Sequence, residues 1–113
     1  MSNTNNWVTV CSAADMTPDT GVCALLGGEQ VAIFQESQSA EIYAISNFDP
    51  IGEANVLSRG IIGSIGDEIV VASPLYKQHF SLKTGACIEE TDYRVKTYSV
   101  RVHEGKVQLQ AAS

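Results

Sequence analysis

Residues 73–90 read SPLYKQHFSLKTGACIEE, and this stretch is the most informative about the fold. It starts as a loop, residues 73–78, and continues into a run in which Phe80 and Leu82 alternate with polar residues before a turn at Gly85. Apolar residues at alternate positions, ended by a glycine, predict a β-hairpin with one buried face. The loop has the layout of a metal-binding loop, yet its six residues include no cysteine and no histidine.

The size and charge of the chain limit the kinds of protein that it can be. It has 113 residues, 44% of them hydrophobic and 18% charged, with a formal net charge of −6 and a pI near 4.7. This length predicts one globular domain over residues 1–113. The negative charge repels phosphate backbones and anionic bilayers, so we expect neither nucleic acid nor a membrane as a partner.

The start of the chain and its cysteines indicate a reducing compartment. MSNTNNW lacks the basic and apolar regions of a secretory signal, and no apolar run approaches the roughly 18 residues of a membrane span. Cys11, Cys23 and Cys87 show no paired spacing and no histidine at zinc-site spacing. We therefore expect a cytoplasmic protein with reduced thiols and no metal site.

Short apolar runs separated by turn residues predict an all-β sandwich of small antiparallel sheets. The candidate strands are WVTVCSA from Trp7, GVCALLG from Gly21, EQVAIFQ from Glu29, EIYAISN from Glu41, DEIVVAS from Asp67, HFSLKTG from His79, and the final pair YRVKTYSVRVHEG and KVQLQ. Gly27–Gly28, Gly66–Asp67 and Glu104–Gly105 supply the positive-φ residues that tight hairpins need.

One connection is too long for a simple turn. Residues 47–60 read NFDPIGEANVLSRG and contain few strand-forming residues. Loops of this length in small domains are typically functional or disordered. The part from Ala54 to Gly60 is compatible with a short helical turn.

The segments YAISNFDP, LSRGIIG and VVASPLYKQHFSLKTGACI, in this order, resemble the two ligand loops of the Rieske iron–sulfur domain and the strands between them. A Rieske domain carries Cys-x-His in the first loop and Cys-x-x-His in the second, because one iron takes two thiolates and the other takes two imidazoles. The matching positions here are Asp49, Ile51, Ser73 and Tyr76. The resemblance therefore implies a cluster-binding-like subdomain at residues 47–85 that has lost its ligands, and no metal or cofactor in this chain.

A more specific resemblance rests on GVCALLGGEQVAIF, YAISNFDP, NVLSRGIIG and VASPLYKQHFSLKTG. Together they are similar to the small subunits of assimilatory NAD(P)H-dependent nitrite reductases, from about Trp7 to Gln110. The resemblance implies an accessory subunit for a large catalytic subunit that carries FAD, an iron–sulfur cluster and sirohaem and reduces nitrite to ammonia in nitrate assimilation. The isolated chain is expected to be non-catalytic, since it shows no Gly-rich phosphate loop and no nucleophile paired with a base.

Two alternatives remain from the sequence. One is a stand-alone electron carrier with an unusual metal site. The other is a small-molecule-binding domain or small enzyme that uses Asp49 as a base and Tyr76 or His79 as an acid.

The loop tips are the expected docking surface for the large subunit, because they carry apolar and aromatic side chains next to charges. The residues of this predicted surface are Phe48, Asp49, Ile51, Leu75, Tyr76, Lys77 and His79. In the alternative interpretation, Phe48 and Leu75 fold inward and fill the volume that a cluster would occupy.

Overall fold

The computed structural model describes residues 7–110, which form short strands and two 3-10 helices, Ala13–Asp15 and Leu57–Arg59. Strand accounts for 52% of the structure and helix for 6%, which confirms the all-β prediction. Within residues 7–110, neither helix is long and apolar enough to cross a membrane. The strands are β1 Trp7–Ser12, β2 Val22–Leu26, β3 Glu29–Gln35, β4 Ile42–Ser46, β5 Phe48–Asp49, β6 Ala54–Asn55, β7 Ile61–Ile65, β8 Glu68–Ala72, β9 His79–Ser81, β10 Thr97–Tyr98, β11 Val100–His103 and β12 Lys106–Gln110.

These strands form small antiparallel sheets. The strand orders are β1-β12-β11, β10-β4-β3-β2, β5-β6 and β7-β8-β9. Strands β5 to β9 lie within residues 47–85, the segment for which the sequence resemblance predicts a cluster-binding-like subdomain.

Strand β3 is buried on both faces and holds the sheets together. Its four central residues, Val31–Phe34, are all 0% exposed. Val31 and Ile33 belong to a core cluster that also contains side chains of β12. Ala32 and Phe34 point to the opposite face, where they join a second cluster with side chains of β8 and β9. The continuous apolar run in EQVAIFQ is thus the signature of a strand between two layers.

The predicted hairpin turns are confirmed. Gly27 and Gly28 both have positive φ between β2 and β3, and Glu104 and Gly105 do so between β11 and β12. Between β7 and β8, Gly66 has φ +60°, whereas Asp67, which was also expected to have a positive φ, does not. A mirror-image turn matches the right-handed twist of the flanking strands, which is why these positions favour glycine.

The segment 47–65 contains more strand than its sequence indicated. The expected helical turn is present as the 3-10 helix Leu57–Arg59, but the short pair β5-β6 and the strand β7 were not predicted. Strand β7 reads IIGSI, and its glycine and serine interrupt the apolar alternation that identifies a strand. Pairing with β8 along all five residues overrides this weak local preference.

The cysteines are free thiols in three different environments. Cys87 is buried, Cys11 is partly buried and Cys23 is exposed. Burial raises the pKa of the Cys11 thiol, and the negative charge of Asp15 raises it further. A raised pKa keeps the Cys11 thiol protonated, and a protonated thiol is a poor nucleophile.

Alanine substitutions at Gly85 and Gly66 test the packing of the hairpin at residues 79–88, with Gly66 as the matched control. A Cβ added at Gly85, where φ is +81°, would lie 2.1 Å from the carbonyl oxygen of Val95, whereas one at Gly66 would meet nothing within 4 Å. We expect Gly66→Ala to cost about 1 kcal/mol in the free energy of unfolding, from its positive φ alone. Gly85→Ala should cost about 2 kcal/mol more, because the backbone must also shift. Equal costs in urea unfolding would contradict this packing.

Candidate functional site

The first loop, residues 47–60, is closed by Asn47. This side chain is 2% exposed, and its Oδ1 accepts a hydrogen bond of 2.6 Å from the Ser58 amide. Its backbone oxygen accepts from the amides of Val56 and Leu57 at 2.9 and 3.0 Å. The Asn47 amide group also donates to Gln30 Oε1 at 3.0 Å, which ties the loop to β3. Asn47 therefore fixes both ends of the loop against the central sheet.

The second loop connects β8 to β9 in a tight turn. The Ser73 amide donates to the Gln78 oxygen at 2.9 Å, and the Lys77 amide donates to the Ser73 oxygen at 3.1 Å. Lys77 itself has φ +69°. These bonds place residues 74–77 at the tip and Ser73 at the base.

A buried hydrogen-bond network joins the two loops. The Ser73 hydroxyl donates to Asp49 Oδ2 at 2.5 Å, and both side chains are 0% exposed. Asp49 Oδ1 accepts from the amides of Ile51 and Gly52 at 2.8 and 3.1 Å, while Ser73 Oγ accepts from the Leu75 amide at 3.2 Å. Every oxygen of the pair thus has a partner, which a buried carboxylate requires. We call these two residues the Asp49–Ser73 pair.

The loops also touch directly. A Cβ at Gly52 would lie 2.4 Å from Leu75 Cδ1 and 3.2 Å from Asp49 Oδ2. Phe48 and Leu75 nevertheless remain 42% and 44% exposed. The loops therefore close over each other at Gly52, and neither of these two side chains is buried between them.

The other residues of the predicted docking surface lie around this contact. Ile51 is half-buried and packs against the core, Tyr76 is 64% exposed, and Lys77 is exposed. His79 bonds Glu89 through both its ring and its backbone, with Nδ1 2.5 Å from Oε2 and the amide 2.8 Å from Oε1. Burial acts to raise the pKa of Glu89, but these hydrogen bonds from His79 outweigh it and lower the pKa. His79 is therefore held by an acidic partner next to the loop.

The structure does not assemble an acid–base pair from Asp49, Tyr76 and His79. Asp49 is fully buried and bonded to Ser73 and two amides, while Tyr76 extends toward solvent and His79 bonds Glu89. General acid–base catalysis needs both groups within hydrogen-bond reach of one substrate. Among residues 7–110, no group of three or more His, Cys, Asp or Glu side chains is placed to hold a metal ion.

A cleft of about 430 Å³ lies next to the first loop, and no pattern in the sequence indicated it. Phe48 and the exposed Leu25 form part of its wall. Tyr98 Oη donates to Glu29 Oε1 at 2.5 Å, and Lys96 Nζ lies 3.4 Å from the same oxygen. Burial, reinforced by the bond to Glu29, raises the pKa of Tyr98. Glu29 and Tyr98 are 69 positions apart, so only the pairing of β10 with β4 reveals this cluster.

Comparison with known proteins identifies the family. Residues 6–110 match the Rieske-like 2Fe-2S domain family. A nitrite reductase (NADH) small subunit from Salmonella typhimurium LT2 is 52% identical over 105 residues, which cover 93% of this chain and 97% of that protein. This chain belongs to the Rieske-like nitrite reductase small-subunit family. A crystal structure described as the NADH-dependent nitrite reductase small subunit of Mycobacterium tuberculosis superposes on this chain with a TM-score of 0.90. The two sequences are 38% identical, and the match covers 95% of this chain and 96% of that one.

The same family also matches part of a much longer protein. A nitrite reductase NAD(P)H large subunit from Klebsiella oxytoca is 39% identical over 101 residues, which are 89% of this chain but 10% of that protein. In that protein, a segment similar to this small-subunit family is covalently part of a large subunit.

The residues at the four ligand positions do not fit an iron–sulfur cluster. A Rieske cluster needs two thiolates and two imidazoles. Asp49 and Ser73 bond each other, Ile51 has no donor atom in its side chain, and Tyr76 is turned to solvent. A hydrogen bond therefore joins the two loops at Asp49 and Ser73, the positions that the sequence resemblance matches to the cysteines of a Rieske domain.

The Asp49–Ser73 pair should be energetically coupled. We expect Ser73→Ala to lower the free energy of unfolding by about 2 kcal/mol, because Asp49 Oδ2 would be left buried without a partner. Ser99→Ala is the matched control, since Ser99 is exposed and its hydroxyl makes no hydrogen bond within residues 7–110. In a double-mutant cycle with Asp49→Ala, urea unfolding should show a coupling of about 1 kcal/mol or more. Additive costs would show that the two loops are not held by this bond.

The purified chain should be colourless and bind no stoichiometric iron, because no thiolate or imidazole stands at the ligand positions. Anaerobic reconstitution with iron and sulfide, followed by iron analysis and visible absorption, measures this directly. A Rieske ferredoxin treated in parallel is the positive control. A stable rhombic signal from this chain after reduction would contradict the prediction.

Proposed function

We propose that this chain is the small accessory subunit of a cytoplasmic NAD(P)H-dependent nitrite reductase and works by binding the large catalytic subunit. The observation that carries the proposal is the 52% identity to a nitrite reductase small subunit over nearly the whole length of both chains. The Asp49–Ser73 pair supports a role without a cofactor, because it occupies the ligand positions with a satisfied hydrogen bond.

In this proposal, the chemistry belongs to the large subunit. That subunit would carry FAD, an iron–sulfur cluster and sirohaem, take electrons from NAD(P)H and reduce nitrite to ammonia in nitrate assimilation. The Klebsiella oxytoca protein supports the partnership, since there a large subunit and a segment similar to this chain share one polypeptide. The residues of this chain would bind and orient, and would carry no electrons.

We propose that the loop tips form the docking surface. Phe48, Leu75 and Tyr76 offer exposed apolar and aromatic area, and Lys77 adds a charge at the tip. Aromatic anchors next to charges are typical of interface hot spots. Ile51 and His79 are half-buried and lie at the margin of this surface.

Asp49 is not kept in the proposed surface, because its side chain is 0% exposed. Its part is to hold the tips in place through Ser73. A surface that is already ordered before binding loses less conformational entropy when the partner docks. In this proposal, the two loops keep their ordered conformation without a metal because that order favours binding of the partner.

Tyr76→Ala and Lys77→Glu test this surface. We expect Tyr76→Ala to weaken binding to the purified large subunit by roughly 30-fold, equivalent to about 2 kcal/mol, with little change in the melting temperature of the free chain. Lys77→Glu should weaken binding through charge reversal. Lys106→Glu on β12 is the matched control, since Lys106 is also exposed and lies in the β1-β12-β11 sheet, away from both loops.

The binding results distinguish an error in the proposed docking surface from an error in the proposed function. Unchanged affinity in both loop variants, with a wild-type chain that binds, would place the docking surface elsewhere. A wild-type chain that fails to bind or activate the large subunit would contradict the proposed function itself.

A further inference from the structure

Two clefts next to the first loop join into one groove. The first, of about 430 Å³, includes Phe48 and Asn55 of the first loop, and the second, of about 470 Å³, reaches Val8 on β1. The residues that line both clefts are Leu25, Glu29, Lys96 and Tyr98. We call the combined cleft the β2 groove, because Leu25 of β2 lines both of its parts.

The wall of the β2 groove carries exposed apolar side chains. Leu25 is 67% exposed, Phe48 is 42% exposed and Val8 is 40% exposed. Apolar side chains that lie together on a surface, next to polar residues, are typical of binding sites, whereas single exposed ones are common on any protein. Because its wall residues are themselves exposed, the groove is open. An open groove fits an extended chain segment better than a small molecule, which binding pockets usually enclose.

The charge of the β2 groove is opposite to that of the whole chain. Among residues 7–110, two of the seven lysines and arginines line it, Arg94 and Lys96, and one of the thirteen aspartates and glutamates, Glu29. Hydrogen bonds from Tyr98 and Lys96 lower the pKa of Glu29, so this carboxylate is ionised and already has partners. Two cations and one carboxylate leave the groove with a formal charge of +1, while the chain carries −6.

Arg94 has hydrogen-bond donors that the described part of the chain does not use. Its Nη2 donates to the Thr84 oxygen at 3.1 Å, and among residues 7–110 it forms no salt bridge. A guanidinium carries five N–H donors in a geometry that binds a carboxylate through two parallel hydrogen bonds. Arg94 lines the same cleft as Phe48, while Val8 lines the other. The groove therefore matches a segment with a carboxylate at the first-loop end and an apolar side chain at the Val8 end.

We propose that the β2 groove binds an extended segment of the large catalytic subunit in which an aspartate or glutamate stands near apolar side chains. This inference rests on the proposed function and names the chemistry of the partner segment. The groove is continuous with the proposed docking surface at the loop tips, since Phe48 belongs to both. A second copy of this chain is a poorer occupant, because two chains of net charge −6 repel each other.

Substitutions of Arg94 test the charge of the β2 groove. In binding to the purified large subunit at low salt, Arg94→Glu should raise the dissociation constant about tenfold or more, because it places a like charge opposite the partner's carboxylate. This difference from the wild type should shrink as salt is added, since salt screens exposed charges. Arg94→Lys keeps the charge without the paired donors, so its affinity should be intermediate. Lys106→Glu is the matched control, because Lys106 pairs with Ser12, at the end of β1 away from Val8.

Leu25→Ala tests the apolar part of the β2 groove. Leu25 is exposed in the free chain, so the melting temperature should not change. The dissociation constant for the large subunit should rise roughly fivefold to tenfold, because less apolar area is buried on binding. Val102→Ala is the matched control, since Val102 is also exposed and lines neither cleft. A photoreactive benzophenone side chain at position 25 should cross-link to a large-subunit peptide that contains aspartate or glutamate.

Each outcome decides for or against the β2 groove. If the wild type binds the large subunit and both Arg94→Glu and Leu25→Ala bind equally well, the inference is overturned and the proposed function stands. Cross-linking to a peptide without an acidic residue would also overturn it. If Leu25→Ala changes the sedimentation of the free chain and leaves its affinity for the large subunit unchanged, the occupant is a second copy. A wild-type chain that does not bind the large subunit contradicts both this inference and the proposed function.

Discussion

The hydrogen bond between Ser73 and Asp49 is the constraint on which the two loops depend. It links residues 24 positions apart in a site with no solvent exposure, where a carboxylate without partners would be strongly destabilising. Two backbone amides on one carboxylate oxygen and a hydroxyl on the other satisfy the group completely. In a Rieske domain, metal–ligand bonds join the loops at these positions. Here hydrogen bonds between Asp49 and Ser73 and from nearby backbone amides connect the two loops.

The double burial of β3 makes this connection rigid. One face of β3 packs on the β1-β12-β11 sheet and the other on β8 and β9, so both loops leave strands that are fixed in the core. Asn47 ties the first loop to Gln30 at the start of β3, and the hairpin at Gly85 anchors the strand that follows the second loop. Rigid strands that carry projecting loops are the usual support for a binding surface. We propose docking of a large subunit at the tips on the basis of this arrangement.

The sequence predicted the parts of this structure that are encoded locally. Alternating apolar residues and paired glycines predicted most strands and their turns. The sequence of the two loops and of the strands between them indicated the Rieske-like family. A loop aspartate before a proline predicts a turn, and Asp49 does bond the amides of Ile51 and Gly52. Its burial against Ser73 could not be predicted, because it depends on a partner 24 residues away. The cluster of Glu29 with Tyr98 and the strand β7 were missed for the same reason, since pairing across the sheets creates them.

Native-state amide hydrogen exchange is the sharpest test of whether the Asp49–Ser73 pair holds the loops. The amides of Ile51, Gly52 and Leu75 donate to this pair and to no strand, so their exchange reports on it alone. We expect all three to be strongly protected in the wild type and to lose protection in Ser73→Ala, while the amides of β3 stay protected. If these three amides exchange at the rate of an unstructured peptide in the wild type, with β3 protected, the pair does not hold the loops.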